Sequence, residues 1–404
     1  MTDHTHSPFT ERTSVPDART VLREHCEPHG RTERVPVERA DGRTVATRLI
    51  AERDVPHYSR AAMDGYAVRA EDTFGADDRS PRILRPAQDT VGSGEADHVH
   101  TGSELPEGAD AVVMIEQVEA VGGEIEVFDA VAEGENVAPV GEDVERGQRL
   151  YDPGHRLCPS DLGLLKSVGH AEVTVAGRPT VSVIPTGEEL VQADPAPGET
   201  IETNGLTVAR LAQRWGAEAT YNDVVTDDEA ALTAAIRGGL GHDVVVTTGG
   251  SSVGTRDLLP GVVSELGEML VHGISLEPGH PAGLGVVEGT PVLVLPGYPV
   301  SCLVNTVQFL RPAIGWLAGR EPDPLPTVTA RLGEKIHSEP GIRTFARVRL
   351  EKRDGERVAT AVRSSGAGVL SSVALSDGWI EVPEESEGLD GGRAVDVGRW
   401  EWWP

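Results

Sequence analysis

The chain has 404 residues, room for two to four domains, and carries 65 Asp and Glu against 36 Lys and Arg, a formal net charge of −29. Only three of the bases are lysines: Lys166, Lys335 and Lys352. This balance excludes sequence-independent nucleic-acid binding and attraction to an anionic membrane, because both require clustered basic side chains.

In chain order, residues 1–10 are polar and lack the apolar core of a signal peptide. Helical patterning starts at Asp17–His25 and leads through residues 36–55 to the string Arg60-Ala-Ala-Met-Asp-Gly-Tyr-Ala67. Short strands follow, among them Ala111–Ile115 and Glu124–Phe128, with turn residues between them. Pro159–Val168 reads as a helix capped by Ser160 or Asp161. From 177 to 319 strands alternate with helices: Val181–Ile184, a helix from Asn204, Ala219–Val225, a helix capped at Thr226 or Asp227, Val244–Val246, the helix Arg256–Leu266, Val292–Leu295 and the helix Val300–Leu317. That alternation is the signature of a parallel α/β sheet. After the proline-rich linker 320–326, Thr327–Leu332, Thr344–Lys352 and Val358–Val362 alternate with period two around an Asp354-Gly355 hairpin turn. No apolar run reaches membrane-spanning length, and Cys26, Cys158 and Cys302 are too scattered for a disulfide framework or a thiolate zinc site. A cytoplasmic, soluble chain is expected. Acids spread throughout the chain, with so few lysines, match proteins adapted to very salty cells.

Ligands of open α/β sheets bind beyond the carboxyl ends of the strands. Three strands here end in glycine-bearing loops: Thr186-Gly187-Glu188-Glu189, Thr247-Thr248-Gly249-Gly250-Ser251-Ser252-Val253-Gly254, and Pro296-Gly297-Tyr298-Pro299-Val300-Ser301. Glycine lets backbone N–H groups approach an anion, hydroxyls add donors, and a following helix presents its positive end, so the middle loop suits a phosphate. It is neither a P-loop nor a dinucleotide fingerprint. Glu188, Glu189, Asp227, Asp228 and Asp257 surround this edge and suit Mg²⁺ between carboxylates and phosphate. Asp227 reads equally well as a helix cap and Asp257 as a first-turn acid. His280, between Gly279 and Pro281, is a candidate anion contact.

These strings resemble the MoeA/gephyrin E-domain family of molybdopterin molybdenumtransferases. Ala62-Met-Asp-Gly-Tyr-Ala67 is similar to S-A-M-D-G-Y-A, and Thr101–Val113 to T-G-A-P-L-P-x-G-A-D-A-V-V. Glu135-Asn136 with Gly141-Glu-Asp143 resembles E-N-V-R-x-x-G-E-D. Thr186–Leu190, Thr248–Asp257 and Leu295–Ser301 resemble T-G-D-E-L, S-G-G-V-S-V-G-x-x-D and L-P-G-N-P-V-S. Where the family has K-P-G-K-P this chain has Glu277-Pro-Gly-His-Pro281, Tyr298 replaces the asparagine, and Ala61 replaces the serine before A-M-D-G-Y-A.

The resemblance implies a multi-domain α/β plus β architecture. An extended, helical and mixed domain (14–50 and 141–176) would hold an inserted β domain (51–140), followed by a parallel α/β molybdopterin-binding domain (177–322) and a C-terminal β-barrel (327–404). It implies a homodimer with the active site between subunits. The reaction would be Mg²⁺-dependent insertion of molybdate, or tungstate, into adenylylated molybdopterin with release of AMP. Asp64, Glu189, Asp227 and Asp257 would be catalytic, with Asp227 and Asp257 on the metal. Thr101, Thr186, Gly187, Thr248, Gly249, Gly250, Ser251, Ser252, Gly254, His280, Pro296, Gly297 and Ser301 would bind substrate. The alternative is a non-catalytic paralog that binds pterin or partner proteins as a scaffold or carrier.

Overall fold

Ser14 starts the first helix. Its hydroxyl accepts the Asp17 N–H at 3.2 Å and Pro16 occupies the first turn, so α1 (Val15–Glu24) begins two residues before its expected start. The computed structural model describes residues 12–250, 258–362 and 367–401. Residues 34–175 form one compact unit, and 1–33 with 176–404 the other. The α1 stripe of Val15, Ala18 and Leu22 is buried in the core of the second unit. This helix therefore packs with the α/β part.

That second unit is built on a six-stranded sheet. Its strands are β1 (Thr180–Pro185), β2 (Glu218–Tyr221), β3 (Val244–Thr248), β4 (Glu268–His272), β5 (Gly283–Val287) and β6 (Thr290–Leu295), in the order β2-β1-β3-β6-β5-β4. The first four run parallel, with Val183 opposite Val246 and Val246 opposite Leu293. The expected parallel sheet is thus extended by an antiparallel pair at one edge, β5 and β4. Alternate side chains go to opposite faces. Val181, Val183, Val244, Val246, Leu293 and Leu295 join α1 and α2 (Asn204–Arg214) in one core. Ile184, Val245, Val292 and Val294 join α3 (Glu229–Gly239) and α4 (Leu259–Leu266) in another. Burial on both faces explains why these strands read as unbroken apolar runs.

The long apolar stretch after β6 is helical, but not uniformly. α5 (Pro299–Asn305) and α6 (Arg311–Leu317) are joined through a π-helical turn at Thr306–Leu310. Beyond the linker, β7 (Thr327–Leu332), β8 (Arg343–Arg353), β9 (Glu356–Ala361), β10 (Gly378–Val382) and β11 (Ala394–Gly398) close a barrel. The eleven-residue β8 pairs with β9 along one edge and β10 along the other, which completes the ring β8-β9-β7-β11-β10. Asp354 and Gly355 take positive φ of 51° and 86°, the geometry of the expected hairpin turn.

Residues 34–175 contain a second six-stranded sheet, in the order Ala111–Met114, Gly65–Val68, Glu95–Val99, Arg82–Pro86, Glu124–Val127, Val118–Val121. A separate core of Val37, Val45, Leu49, Leu157, Leu165 and Val173 surrounds the helix Pro159–Ser167. Its N-cap is Cys158, not Ser160 or Asp161. Asp161 is third in the helix, and its carboxylate accepts the Cys158 N–H at 2.9 Å. Among the described residues no helix is long and apolar enough to cross a membrane.

Candidate active site at the sheet edge

β1, β3 and β6 end level, with Pro185 opposite Thr248 and Thr248 opposite Leu295. Their loops are stitched at the first residue. Thr186 N–H donates to Thr248 O at 3.1 Å, Gly249 N–H to Leu295 O at 3.0 Å, and Gly187 N–H to Val225 O at 3.1 Å. The three loops therefore leave from a single line, as expected for a ligand edge. Gly249 has φ +124°, and a Cβ there would lie 2.1 Å from the Thr186 carbonyl oxygen, so only glycine fits.

Thr186, Thr247 and Thr248 are buried, and their hydroxyls have no hydrogen-bond partner among the described residues. An unpaired buried hydroxyl costs about 1–3 kcal/mol, which a ligand oxygen at this edge would offset for those within its reach. Gly250 follows at φ +60°. Ser251, Ser252, Gly254 and Asp257 lie outside the described residues. Pro296 is buried, Gly297 is exposed, and Ser301 is buried in α5, where its carbonyl accepts from Asn305 Nδ2 at 2.8 Å.

Glu188 and Glu189 are exposed beside a half-buried Asp227. Burial, then the charges of Glu189 and Glu188, push the Asp227 carboxyl up, against a hydrogen bond from the Glu188 N–H. Asp227 does not cap α3, and nor does Thr226. The cap is Asp228, which accepts the Ala231 N–H at 2.9 Å. Asp227 is thereby left facing two like charges. Among the described residues no three His, Cys, Asp or Glu side chains are arranged to hold a metal ion.

His280 is half-buried, its Nδ1 4.0 Å from Glu277 Oε2. Burial and the Arg12 charge push its imidazole down, so at neutral pH it offers a hydrogen bond without a charge. Tyr298 is the N-cap of α5 and is exposed.

In the 34–175 unit, Asp64 and Thr101 are brought together. Asp64 Oδ1 accepts the Thr101 N–H at 2.9 Å, and His100 Nδ1 is 3.5 Å away. The Thr101 N–H and, less strongly, His100 outweigh desolvation and hold the Asp64 carboxyl below the usual range. Glu135 and Asn136 are structural. Glu135 accepts the Ala132 N–H at 2.8 Å, and Asn136 donates to Val112 O at 2.9 Å.

Family models match along the chain in order: the MoeA N-terminal region (domain I and II) at residues 13–169, a molybdopterin-binding domain at 182–316 and the MoeA C-terminal region (domain IV) at 329–400. A Methanocaldococcus jannaschii protein named for molybdopterin biosynthesis is 36% identical over 388 residues, 93% of this chain and 94% of that one. The chain belongs to the MoeA family. Another MoeA relative, the molybdopterin molybdenumtransferase of Bacillus subtilis, is 31% identical across 96% of this chain and 94% of its own. The crystal structure of the molybdopterin biosynthesis MoeA protein from Pyrococcus horikoshii OT3 matches with a TM-score of 0.84 and 32% identity, covering 96% of this chain and 99% of that one.

Three residues at this edge escape the motif reading: Glu202, Asn204 and Tyr221. Asn204 Nδ2 donates to Gly297 O at 2.7 Å, and Tyr221 hydrogen-bonds Glu202. The only signal in the sequence was an acid two residues before a helix.

Proposed function

We infer that this MoeA-family chain is a molybdopterin molybdenumtransferase of molybdenum-cofactor biosynthesis, inserting molybdate, or tungstate, into adenylylated molybdopterin with Mg²⁺-dependent release of AMP. One observation carries the reading. Three strands end level at one edge, where Thr186, Thr247 and Thr248 are buried with unpartnered hydroxyls, and Asp227, just past the Val225 bridge to Thr186, is crowded by two other carboxylates. The hydroxyls and the N–H groups of the Gly249–Gly254 loop hold the pterin phosphate, with Ser251, Ser252, Gly187, Pro296, Gly297, Ser301 and His280 completing the pocket. The like-charge crowding at Asp227 and its hard oxygen donors fit Mg²⁺, which Asp227 and Asp257 would hold. When bound, the ion neutralises phosphoanhydride charge.

One water adds across that phosphoanhydride, giving AMP and the terminal phosphate of the metal-bearing pterin. Asp227, crowded by Glu189 and Glu188, would take up the proton of that water. Asp64 is held ionised and cannot serve as an acid at neutral pH, so it orients substrate with Thr101. Glu189 keeps Asp227 basic through its charge. The protein is a cytoplasmic homodimer whose cleft lies between the α/β domain of one subunit and the inserted β domain of the other, and its acidity is an adaptation to salt.

The test is AMP release from adenylylated molybdopterin with molybdate and Mg²⁺ at high salt. Absence of AMP overturns the assignment. Glu277, His280 and Tyr298 favour a second reading, a scaffold or carrier without turnover. Glu277→Lys with His280→Lys separates the two: turnover gained from none supports the scaffold, and turnover present in the unaltered chain rejects it.

A further inference from the structure

Glu202 is an unusual residue to find buried. It is 5% exposed, and no ion pair to it exists among the described residues. Both carboxylate oxygens are engaged by neutral donors. Oε1 accepts the Gly205 N–H at 2.7 Å and Oε2 accepts the Tyr221 hydroxyl. Burial and the carboxylate push the Tyr221 hydroxyl up, so it stays protonated and donates. A buried carboxylate without a cation is costly, and what it supplies in return is short, charge-assisted hydrogen bonds of fixed direction.

Those bonds join the elements that carry the candidate site. Thr200 N–H donates to Glu189 O at 2.8 Å and Glu202 N–H to Val191 O at 2.9 Å, so the chain entering α2 is stitched to the acidic loop after β1. Tyr221 ends β2. At Gly205 a Cβ would come within 2.7 Å of Pro185 Cγ and 2.8 Å of the Tyr221 ring, so the first turn of α2 is pressed against the end of β1 without slack. Asn204 sits between Glu202 and Gly205, and its Nδ2 reaches 2.7 Å to the exposed carbonyl of Gly297 in the loop after β6. A Cβ on Gly297 would in turn touch Gly249 at 3.5 Å.

We propose that Glu202 is a positioning residue for the sheet-edge site, a brace that acts through Asn204 to set the spacing between the acidic loop and the Pro296–Tyr298 loop. The proposal rests on the function inferred above only for its kinetic arm. Glu202 touches neither substrate nor metal. It fixes where Asn204 begins α2 and hence where the Gly297 carbonyl and its loop stand relative to Thr186 and Gly249.

The test uses the full chain with Glu202→Gln, Asn204→Ala and the double variant, read by amide hydrogen exchange and by AMP-release kinetics. Glu202→Gln and Asn204→Ala should each speed exchange in the peptide spanning Gly297–Leu303 at least tenfold. The double variant should be no faster than the faster single one. Each single variant should lower kcat/KM about tenfold, again without multiplying in the double. If Glu202→Gln speeds exchange only in the first turn of α2 and leaves Gly297–Leu303 unchanged, Glu202 is a helix cap and the proposal is overturned. Effects that multiply in the double variant overturn it too. If the unaltered chain releases no AMP, the functional reading falls, while the exchange arm still decides the brace.

Discussion

Gly249 and Gly297 both lie in loops at the ligand edge, yet the structure assigns them opposite sensitivity to a single methyl group. At Gly249, φ +124° is a conformation that side chains rarely adopt, costing roughly 1–3 kcal/mol. The added Cβ would also stand 2.1 Å from Thr186 O and 3.2 Å from Thr186 C. That contact is backbone against backbone, between the ends of β1 and β3, so no rotamer change relieves it. Separating the strand ends would strain the bonds Thr186 N–H to Thr248 O and Gly249 N–H to Leu295 O. Overpacking of this kind adds another ~1–3 kcal/mol. Gly249→Ala should therefore destabilise the α/β part by about 2–6 kcal/mol, roughly 4–24 °C in unfolding temperature. At Gly297 the same methyl meets only Gly249 Cα at 3.5 Å, an ordinary contact, and Gly297→Ala should stay within about 0.5 kcal/mol of the unaltered chain. Urea and thermal unfolding at fixed high salt measure both. A Gly249→Ala chain with an unchanged midpoint, or a Gly297→Ala chain that loses as much, would refute the argument.

Further outcomes follow from the same contacts. The Asp227 carboxyl is raised in the folded chain, so its contribution to stability is fully present below the ordinary carboxylate value of 3.8 and is lost as pH rises through the folded value. Asp227→Asn should therefore raise the unfolding free energy at pH 7 by about a few tenths of a kcal/mol, seen as a higher urea midpoint, lose that advantage near pH 4, and abolish AMP release. A lower midpoint at pH 7 would contradict the crowding. Burial pushes the thiols of Cys26 and Cys302 up to about 12, whereas Cys158 is exposed. Under native conditions a maleimide should modify Cys158 alone, with mass spectrometry of the labelled peptides as the check.

Much of the α/β sheet was legible because its strands are buried on both faces. Val181–Ile184, Val244–Val246 and Val292–Leu295 announce themselves as apolar runs cut by Gly and Pro. The limits were set by tertiary competition. β2 was expected to reach Val225 but stops at Tyr221, because the Asn222 side chain turns back to Ser182 Oγ at 3.0 Å and Val183 O at 2.9 Å. Thr226, Asp227 and Asp228 all satisfy the rules for a helix cap, and the folded chain uses Asp228, whose carboxylate takes the Ala231 N–H. The π turn at Thr306–Leu310 leaves no mark on an apolar pattern that is buried all round. Motif matching found the loops, since glycine spacing records backbone geometry. It missed Glu202, whose role depends on Tyr221 and Asn204 converging in space.

The charge of −29 bears differently on an anionic substrate once the donors are located. In the proposed reading Glu277 and His280 stand where the resembled motif has two lysines, and His280 is uncharged at neutral pH, so the proposed anion pocket has no ammonium group at either position. The donors at the ends of β1 and β3 are threonine hydroxyls and backbone N–H groups, which act over hydrogen-bond distances and are barely screened, while the Arg12 charge acts at His280. The opposing field comes from exposed acids such as Glu188 and Glu189. At ~0.1 M salt that field reaches about 10 Å, far enough to cover the mouth of the site, and at ~1 M it reaches about 3 Å. Added salt should therefore weaken repulsion more than attraction, and KM for molybdate should fall as KCl rises from ~0.1 to ~2 M. A lysine-lined pocket would show the opposite slope. Initial rates of AMP release across that range decide between them, and a KM that climbs with salt would mean that cations, not neutral donors, capture the anion.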